Sequence, residues 1–293
     1  MTPNNKTQDL FNVQGLVAVV SGGGSGLGLY AARALDANGA KAVYIVGRRE
    51  ETLNEAAKSA VNGTIKTIVG DVSNKESLLK IASQIREEQG FINLLFANAG
   101  VGGPKHAASA GKNPSIEEFQ KACFEPGMDE FTFTQHVNNT AVFYTAIAFL
   151  DLLDAGNKKR NVPQDSQILV TSSVAGLSRH LASSFAYSTS KAAVNHLVKM
   201  LATYFAQHQF HIRANAICPG LYPSEMTAGS TKVLYLCIFT ILTDGDIRIW
   251  TSSEELRVTL MLLLVRTKCQ SMVSFPNNER LDVASRIFSQ SFG

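Results

Sequence analysis

Tyr187-Ser188-Thr189-Ser190-Lys191 sets a phenol and an ammonium four residues apart, a spacing that puts both on one face of a helix about one turn apart. A tyrosine titrates near 10, so its use as an acid/base at neutral pH asks for a downward shift of ~3 units, or ~4 kcal/mol. A neighbouring lysine cation favours the phenolate in that sense. Taken alone, a Tyr-x-x-x-Lys spacing recurs by chance on ordinary surface helices. Ser172-Ser173, whose second serine lies fourteen residues before Tyr187, adds a hydroxyl able to hydrogen-bond a carbonyl oxygen that Tyr187 would protonate.

Competing chemistry is poorly supported. His208 and His211 stand at i, i+3 without a third ligand, so no metal site is expected. Ser172-Ser173 as a hydrolytic nucleophile lacks the G-x-S-x-G elbow. His106, His136, His180 and His196 read as polar surface or pocket residues, and Cys218, beside Pro219-Gly220, as a small buried hydrophobe. Cys123, Cys218, Cys237 and Cys269 are scattered without a C-x-x-C pair, which argues against a disulfide framework or zinc knuckle and fits a reducing cytosol.

The elements that must carry Tyr187 and Lys191 follow from the hydrophobic pattern. Residues 16–20, 42–46, 65–69, 92–97, 168–171 and 212–217 form short apolar, β-branched runs, several apolar on both faces as buried parallel strands are. Between them lie helical stretches. Ser73-Asn74-Lys75-Glu76 reads as a capping box opening a helix that Gly90 closes, and Ser115-Ile116-Glu117-Glu118 as another. Strand and helix repeated this regularly predict an α/β fold: a single, doubly wound, Rossmann-type parallel sheet with helices on both faces. Residues 101–127, rich in Gly, Pro, Ala and Lys, are the weakest-ordered part and follow the fourth strand, where a long insertion can border a ligand site.

After the first strand comes Ser21-Gly22-Gly23-Gly24-Ser25-Gly26-Leu27-Gly28, with a helix expected from near Leu29. Neither G-x-G-x-x-G nor the G-x-x-x-x-G-K-[ST] phosphate loop fits. Gly22-x-x-x-Gly26-x-Gly28 does fit a tight turn whose backbone N–H groups receive a pyrophosphate at a helix N-terminus, the competing reading being a flexible turn. About twenty residues on, where a carboxylate would grip the ribose hydroxyls of NAD, the chain reads Val46-Gly47-Arg48-Arg49. Arg48 can pair a 2′-phosphate through its planar fork, so NADP(H) is the expected cofactor. The alternative is that Arg48 and Arg49 open a solvated helix with Glu50 and Glu51 as ion-pair partners.

Asn98-Ala99-Gly100 ends the fourth expected strand, and Val137-Asn138 lies in the helix that follows. With these in place the chain resembles the short-chain dehydrogenase/reductase family over roughly residues 12–228. The resemblance rests on five separated elements in the right order. Ser21-Gly22-x-x-x-Gly26-x-Gly28 looks like the family's cofactor loop, enclosing Ser25 and Leu27, with Ser21 in place of the commoner threonine. Asp71-Val72 is similar to the pair that holds the adenine, and Asn98-Ala99-Gly100 to the segment that braces the sheet and the adenosine ribose. Asn138, Ser173, Tyr187 and Lys191 match the four catalytic positions, and Pro219-Gly220 the turn beside the nicotinamide. The resemblance implies that Tyr187 is the general acid/base and that Ser173 orients the carbonyl. It also implies that Lys191 binds the nicotinamide ribose and lowers the Tyr187 pKa, and that Asn138 positions a water for proton relay.

The implied activity is NADP(H)-dependent interconversion of a ketone or aldehyde with an alcohol on a small hydrophobic molecule, leaving room for a homo-oligomer. A second reading, of a different class, is a non-catalytic dinucleotide-binding protein whose altered C-terminal segment has lost the substrate pocket. An extended-family sugar-nucleotide epimerase or dehydratase is disfavoured by its usual G-x-x-G-x-x-G loop. Composition adds exclusions: 27 Lys plus Arg against 24 Asp plus Glu on 293 residues leave +3, too diffuse for a nucleic-acid footprint. The apolar run 233–242 is far shorter than the ~20 residues of a membrane span. The first fourteen residues lack the basic start and apolar run of a secretory signal, so a cytoplasmic location is expected. Residues 1–13 read as a polar tail and 14–228 as the dinucleotide-binding and catalytic domain. Residues 229–293 depart from the family pattern and are expected to be a helical segment, with apolar stripes over 252–266 and 281–292, leaving the sixth strand as an open edge unless the tail covers it.

Overall fold

The computed structural model describes residues 12–104, 113–181, 184–220, 237–243 and 246–252. Six strands, β1 (Val17–Ser21), β2 (Ala42–Gly47), β3 (Ile65–Val69), β4 (Leu94–Ala97), β5 (Gln167–Thr171) and β6 (Arg213–Pro219), form a parallel sheet in the order β3-β2-β1-β4-β5-β6. The expected strands are all present, with boundaries moved by one or two residues. All five residues of β1 are buried because helices cover both faces. Val17 and Val19 join one core cluster, while Ala18 and Val20 join the other.

Helices α1 (Gly26–Ala37) and α2 (Glu50–Lys58) supply Ala31, Leu35, Leu53 and Ala56 to the second cluster. The first cluster takes Ile81 and Ile85 from α3 (Lys75–Glu88), with α4 (Ile116–Phe124) and α5 (Met128–Gln135) intervening in the chain. It also takes Val142 and Ala146 from α6 (Ala141–Ala148), Leu152 and Leu153 from α7 (Leu150–Lys159), and Val194, Val198 and Phe205 from α8 (Phe185–Gln207). The doubly wound architecture predicted from the sequence is the architecture found.

Three local readings are corrected. α1 begins at Gly26, inside the glycine loop, because first-turn residues need no partner within the helix for their N–H groups. α3 is capped by Asn74, whose side chain accepts from the Ser77 amide at 2.8 Å, while Ser73 turns to Asp71. Of the stretch after residue 229, the described residues are strand and not helix: β7 (Cys237–Thr243) and β8 (Asp246–Ser252). Ile238, Thr240, Ile241, Ile247, Ile249 and Thr251 are β-branched types that favour that state. β7 pairs antiparallel with β6, from Ala216 opposite Leu242 to Pro219 opposite Phe239, so the edge of β6 is covered. Apart from Ser252, the helices expected at 252–266 and 281–292 lie outside the described residues, as do residues 1–11.

The segment 101–127 holds more structure than its composition suggests. α4 opens with the reciprocal box expected there, Glu118 N–H donating to Ser115 Oγ at 3.2 Å and Ser115 N–H to Glu118 Oε2 at 2.8 Å. Chain order reverses between β1 and β4, and residues at the carboxyl ends of β1 to β6 border the crevice there.

Candidate active site

At the end of β1 the chain turns through Gly22 at φ +63° and Gly26 at φ +51°, conformations that other residues adopt only under strain. Gly28 faces back onto this turn. A Cβ there would collide with the Gly22 carbonyl and come within 2.6 Å of Asn98 Nδ2. Gly28→Ala is therefore expected to destabilise the fold by about 2 kcal/mol, read as a lower urea midpoint with an unchanged slope.

Asn98 ties three strand ends together. Its Nδ2 donates to the carbonyls of Ser21 and Gly22, each at 3.2 Å, and its Oδ1 accepts from Thr171 Oγ1 at 2.9 Å. Ser21 Oγ accepts from the amides of Asn98 and Ala99 at 3.0 and 3.1 Å, so the smaller hydroxyl residue meets the bracing requirement.

A cleft of about 710 Å³ runs across these ends. Arg48, Asp71 and Val72 lie at one end, Gly22, Ser25, Gly26 and Leu27 beside the turn, then Asn98, Ala99 and Gly100, and at the other end Tyr187, Lys191, Pro219 and Gly220. Ser21, Gly28, Asn138 and Ser173 adjoin the cleft through their neighbours Gly22, Leu27, Val137 and Ser172 and are not themselves part of its lining. Arg48 is exposed, and its charge acts on Asp71. Burial alone would raise the Asp71 carboxyl. The Ser73 hydroxyl and amide, with Arg48 and His136 nearby, hold it below the usual carboxylate value.

α8 carries Tyr187 and Lys191 and is capped by Ser184. Ser184 Oγ accepts from the Tyr187 amide at 3.0 Å and donates to the Gly102 carbonyl at 3.1 Å. Asn138 sits in a π-helical turn, residues His136–Thr140, where the sequence predicts ordinary helix. Its Oδ1 accepts from Val101 N–H at 2.8 Å, and its Nδ2 donates to Val101 O at 2.9 Å and to Ser190 Oγ at 3.0 Å. Ser190 Oγ in turn donates to the Tyr187 carbonyl at 2.7 Å. Asn138 thus fixes the helix from which Tyr187 projects.

Lys191 Nζ donates to the Thr171 carbonyl at 2.7 Å and lies 5.6 Å from the centre of the Tyr187 ring. Ser173 Oγ accepts from Ala175 N–H at 3.1 Å and donates to the Pro219 carbonyl at 3.4 Å. The electrostatics differ from the simplest expectation. Burial pushes the Tyr187 phenol above its usual 10, a rise that the Ser173 hydroxyl opposes and the Cys218 thiol reinforces. Burial also pushes Lys191 down to about 8. A lysine sunk this deeply pays for its own charge, so it does not by itself draw the phenol downward. Cys218 is fully buried, and burial pushes its thiol up to about 12, as suits a core residue and not a nucleophile.

Sequence reasoning overlooked Thr171, Ser184 and Ser190. Ser184 had a readable signal, a cap-type residue just before the helix bearing Tyr187. Thr171 and Ser190 act through a carbonyl and a hydroxyl whose partners are distant in the chain, and nothing local marks them.

The arrangement has known counterparts. The short chain dehydrogenase family model matches residues 16–233. Short-chain dehydrogenase/reductase PhomF of Diaporthe leptostromiformis is 46% identical over 233 residues, covering 79% of this chain and 78% of that protein. Short-chain dehydrogenase/reductase VdtF of Byssochlamys spectabilis is 39% identical over 243 residues, covering 76% and 78%. Among solved structures, the Pseudomonas aeruginosa RhlG/NADP active-site complex superposes with a TM-score of 0.67 at 26% identity, covering 88% of this chain and 92% of that one. With the nucleotide-binding turn, the Asn98 brace and the Tyr187–Lys191 helix in one cleft, these matches make the chain a member of the short-chain dehydrogenase/reductase family, a family of oxidoreductases.

Proposed function

We propose that residues 14–228 form an NADP(H)-dependent carbonyl reductase unit acting on a hydrophobic ketone or aldehyde, with Tyr187 as proton donor. The observation that carries this reading is the placement of Tyr187 and Lys191 at one end of the cleft whose other end holds Arg48 and Asp71. The groove fits a dinucleotide: Gly22 and Gly26 line it in a positive-φ turn that leads into the N-terminus of α1, and the residues directly after β2 are Arg48 and Arg49, where a carboxylate would repel a 2′-phosphate. Gly22, Ser25, Gly26 and Leu27 would hold the pyrophosphate, Arg48 the 2′-phosphate, Asp71 and Val72 the adenine, and Asn98, Ala99 and Gly100 the adenosine ribose. Lys191, Pro219 and Gly220 would hold the nicotinamide end. The bound nicotinamide supplies the hydride.

The chain's own groups do the rest. Ser173, with its hydroxyl beside the Tyr187 phenol, orients the substrate oxygen. A raised phenol keeps its proton at neutral pH, which is the state that reduction requires. Asn138 is proposed to position the relay water, its side chain being engaged by Val101 and Ser190.

Arg48 gives the direct test of cofactor choice. Arg48→Glu is expected to lower the preference for NADPH over NADH about 100-fold, as loss of a charge-assisted phosphate contact implies, measured as the ratio of the two dissociation constants. An unchanged ratio would remove Arg48 from the site and the 2′-phosphate with it.

A further inference from the structure

We propose that His136 is a positioning residue for the adenine end of the dinucleotide, holding the loop after β3 from the same helical turn that carries Asn138. The inference rests on the reading that a dinucleotide lies in the cleft with its adenine toward Asp71 and Val72.

His136 is half-buried, and its Nε2 lies 3.0 Å from the Ser73 carbonyl oxygen. That oxygen can only accept, so the ring donates. On the inner side of the same residue, the Ser73 amide and hydroxyl both donate to Asp71 Oδ1, at 2.9 and 2.6 Å. The Asp71–Ser73 turn is therefore clamped from two sides, and its three residues line the cleft beside Arg48. Without the imidazole, the Ser73 carbonyl loses its bond from the π turn, and the Asp71–Ser73 turn is left with its local bonds, the Asp71 amide donating to Ser77 Oγ at 2.8 Å and the Asn74 amide to the Asp71 carbonyl at 3.2 Å, which fix its backbone but not its tilt toward the groove.

Two residues further on, Asn138 holds Val101 by both its amide and its carbonyl. One turn, His136–Thr140, thus grips the loop at the Asp71 end of the cleft and the loop at the Tyr187 end. Its π-helical form matters here, because the wider turn re-aims side chains that a regular helix would present differently. The outer elements are packed and not merely adjacent: Lys75 Nζ, at the start of α3, lies 4.2 Å from the centre of the Tyr144 ring on α6.

The test is fluorescence and competition titration on the full chain. His136→Phe keeps the ring and removes the donor, His136→Leu removes both, and His136→Gln returns an N–H donor. His136→Phe and His136→Leu are expected to bind NADPH and adenosine 2′,5′-bisphosphate about 5-fold more weakly. Reduced nicotinamide mononucleotide, which lacks the adenine half, should bind as to the parent, with kcat at saturating NADPH unchanged. His136→Gln should return to within about 2-fold of the parent. Unchanged NADPH affinity in both donor-less variants overturns the inference, as does an equal loss for both half-cofactors, which would mean general loosening. Failure of the parent protein itself to bind any dinucleotide overturns the cleft assignment, and the inference falls with it.

Discussion

Tyr187→Phe is expected to lower kcat about 10³-fold while the NADPH dissociation constant and the melting temperature stay at their parental values. The separation follows from how the residue is held. Its amide is bound by Ser184 and its carbonyl by Ser190, so the backbone of α8 does not depend on the phenol. What the substitution removes is the phenolic proton at that end of the cleft, along with the phenol's interaction with the Ser173 hydroxyl. Stopped-flow measurement of NADPH oxidation, beside fluorescence titration, separates the two quantities. Direction of reaction should also separate by pH. Because burial, opposed only in part by Ser173, keeps the phenol protonated at neutrality, reduction should be insensitive to pH there. Alcohol oxidation needs the phenolate and should climb as the medium is made alkaline.

Lys191→Met is expected to lower kcat/KM about 100-fold through loss of a charged donor in a buried site, yet to make the protein free of cofactor more stable. Burial brings Lys191 down to about 8 from 10.5, so carrying the charge at pH 7 costs about 3 kcal/mol. The bond to the Thr171 carbonyl, about 1 kcal/mol, offsets part of this. A methionine of similar shape should therefore gain about 1–2 kcal/mol at pH 7. The sign of its pH dependence is fixed by linkage. Between pH 8 and 10.5 the native lysine is neutral while the unfolded chain still binds a proton, so parental stability rises with pH across that window. The advantage of Lys191→Met should shrink over the same range, which urea titrations at a series of pH values would register. A variant less active and more stable is the signature of a residue kept for chemistry against the preference of the fold.

Much of this was legible in the chain. The six apolar runs marked the six parallel strands because strands covered on both faces carry little else, and β1 is the clearest instance, buried along its whole length. Gly22, Gly26, Asn98, Tyr187 and Lys191 were found because each is bound to a strand end or a helix spacing that can be counted. Arg48 was singled out by the absence of a carboxylate directly after β2, and it lines the Asp71 end of the cleft. The π turn around Asn138 was not legible: His136–Thr140 has the pattern of plain helix, and its departure answers contacts with Val101 and Ser73 made across the fold. The upward shift of Tyr187 was missed for a related reason, since spacing reports the distance to a lysine but not how deeply both are buried. Strands β7 and β8 were misread because the leucine stripes further along suggested helix, while the β-branched positions before them answered to the open edge of β6.

The proposed reaction passes a hydride from NADPH to a carbonyl carbon while Tyr187 protonates the oxygen. The most direct measurement supplies NADPH deuterated at both C4 positions together with a panel of hydrophobic ketones and aldehydes, and weighs the alcohols formed. The expected result is an alcohol carrying one deuterium on the former carbonyl carbon with the parent chain, and none above background with Tyr187→Phe. Tight NADPH binding with no deuterated alcohol from any carbonyl, or equal labelling by the parent and by Tyr187→Phe, would contradict it.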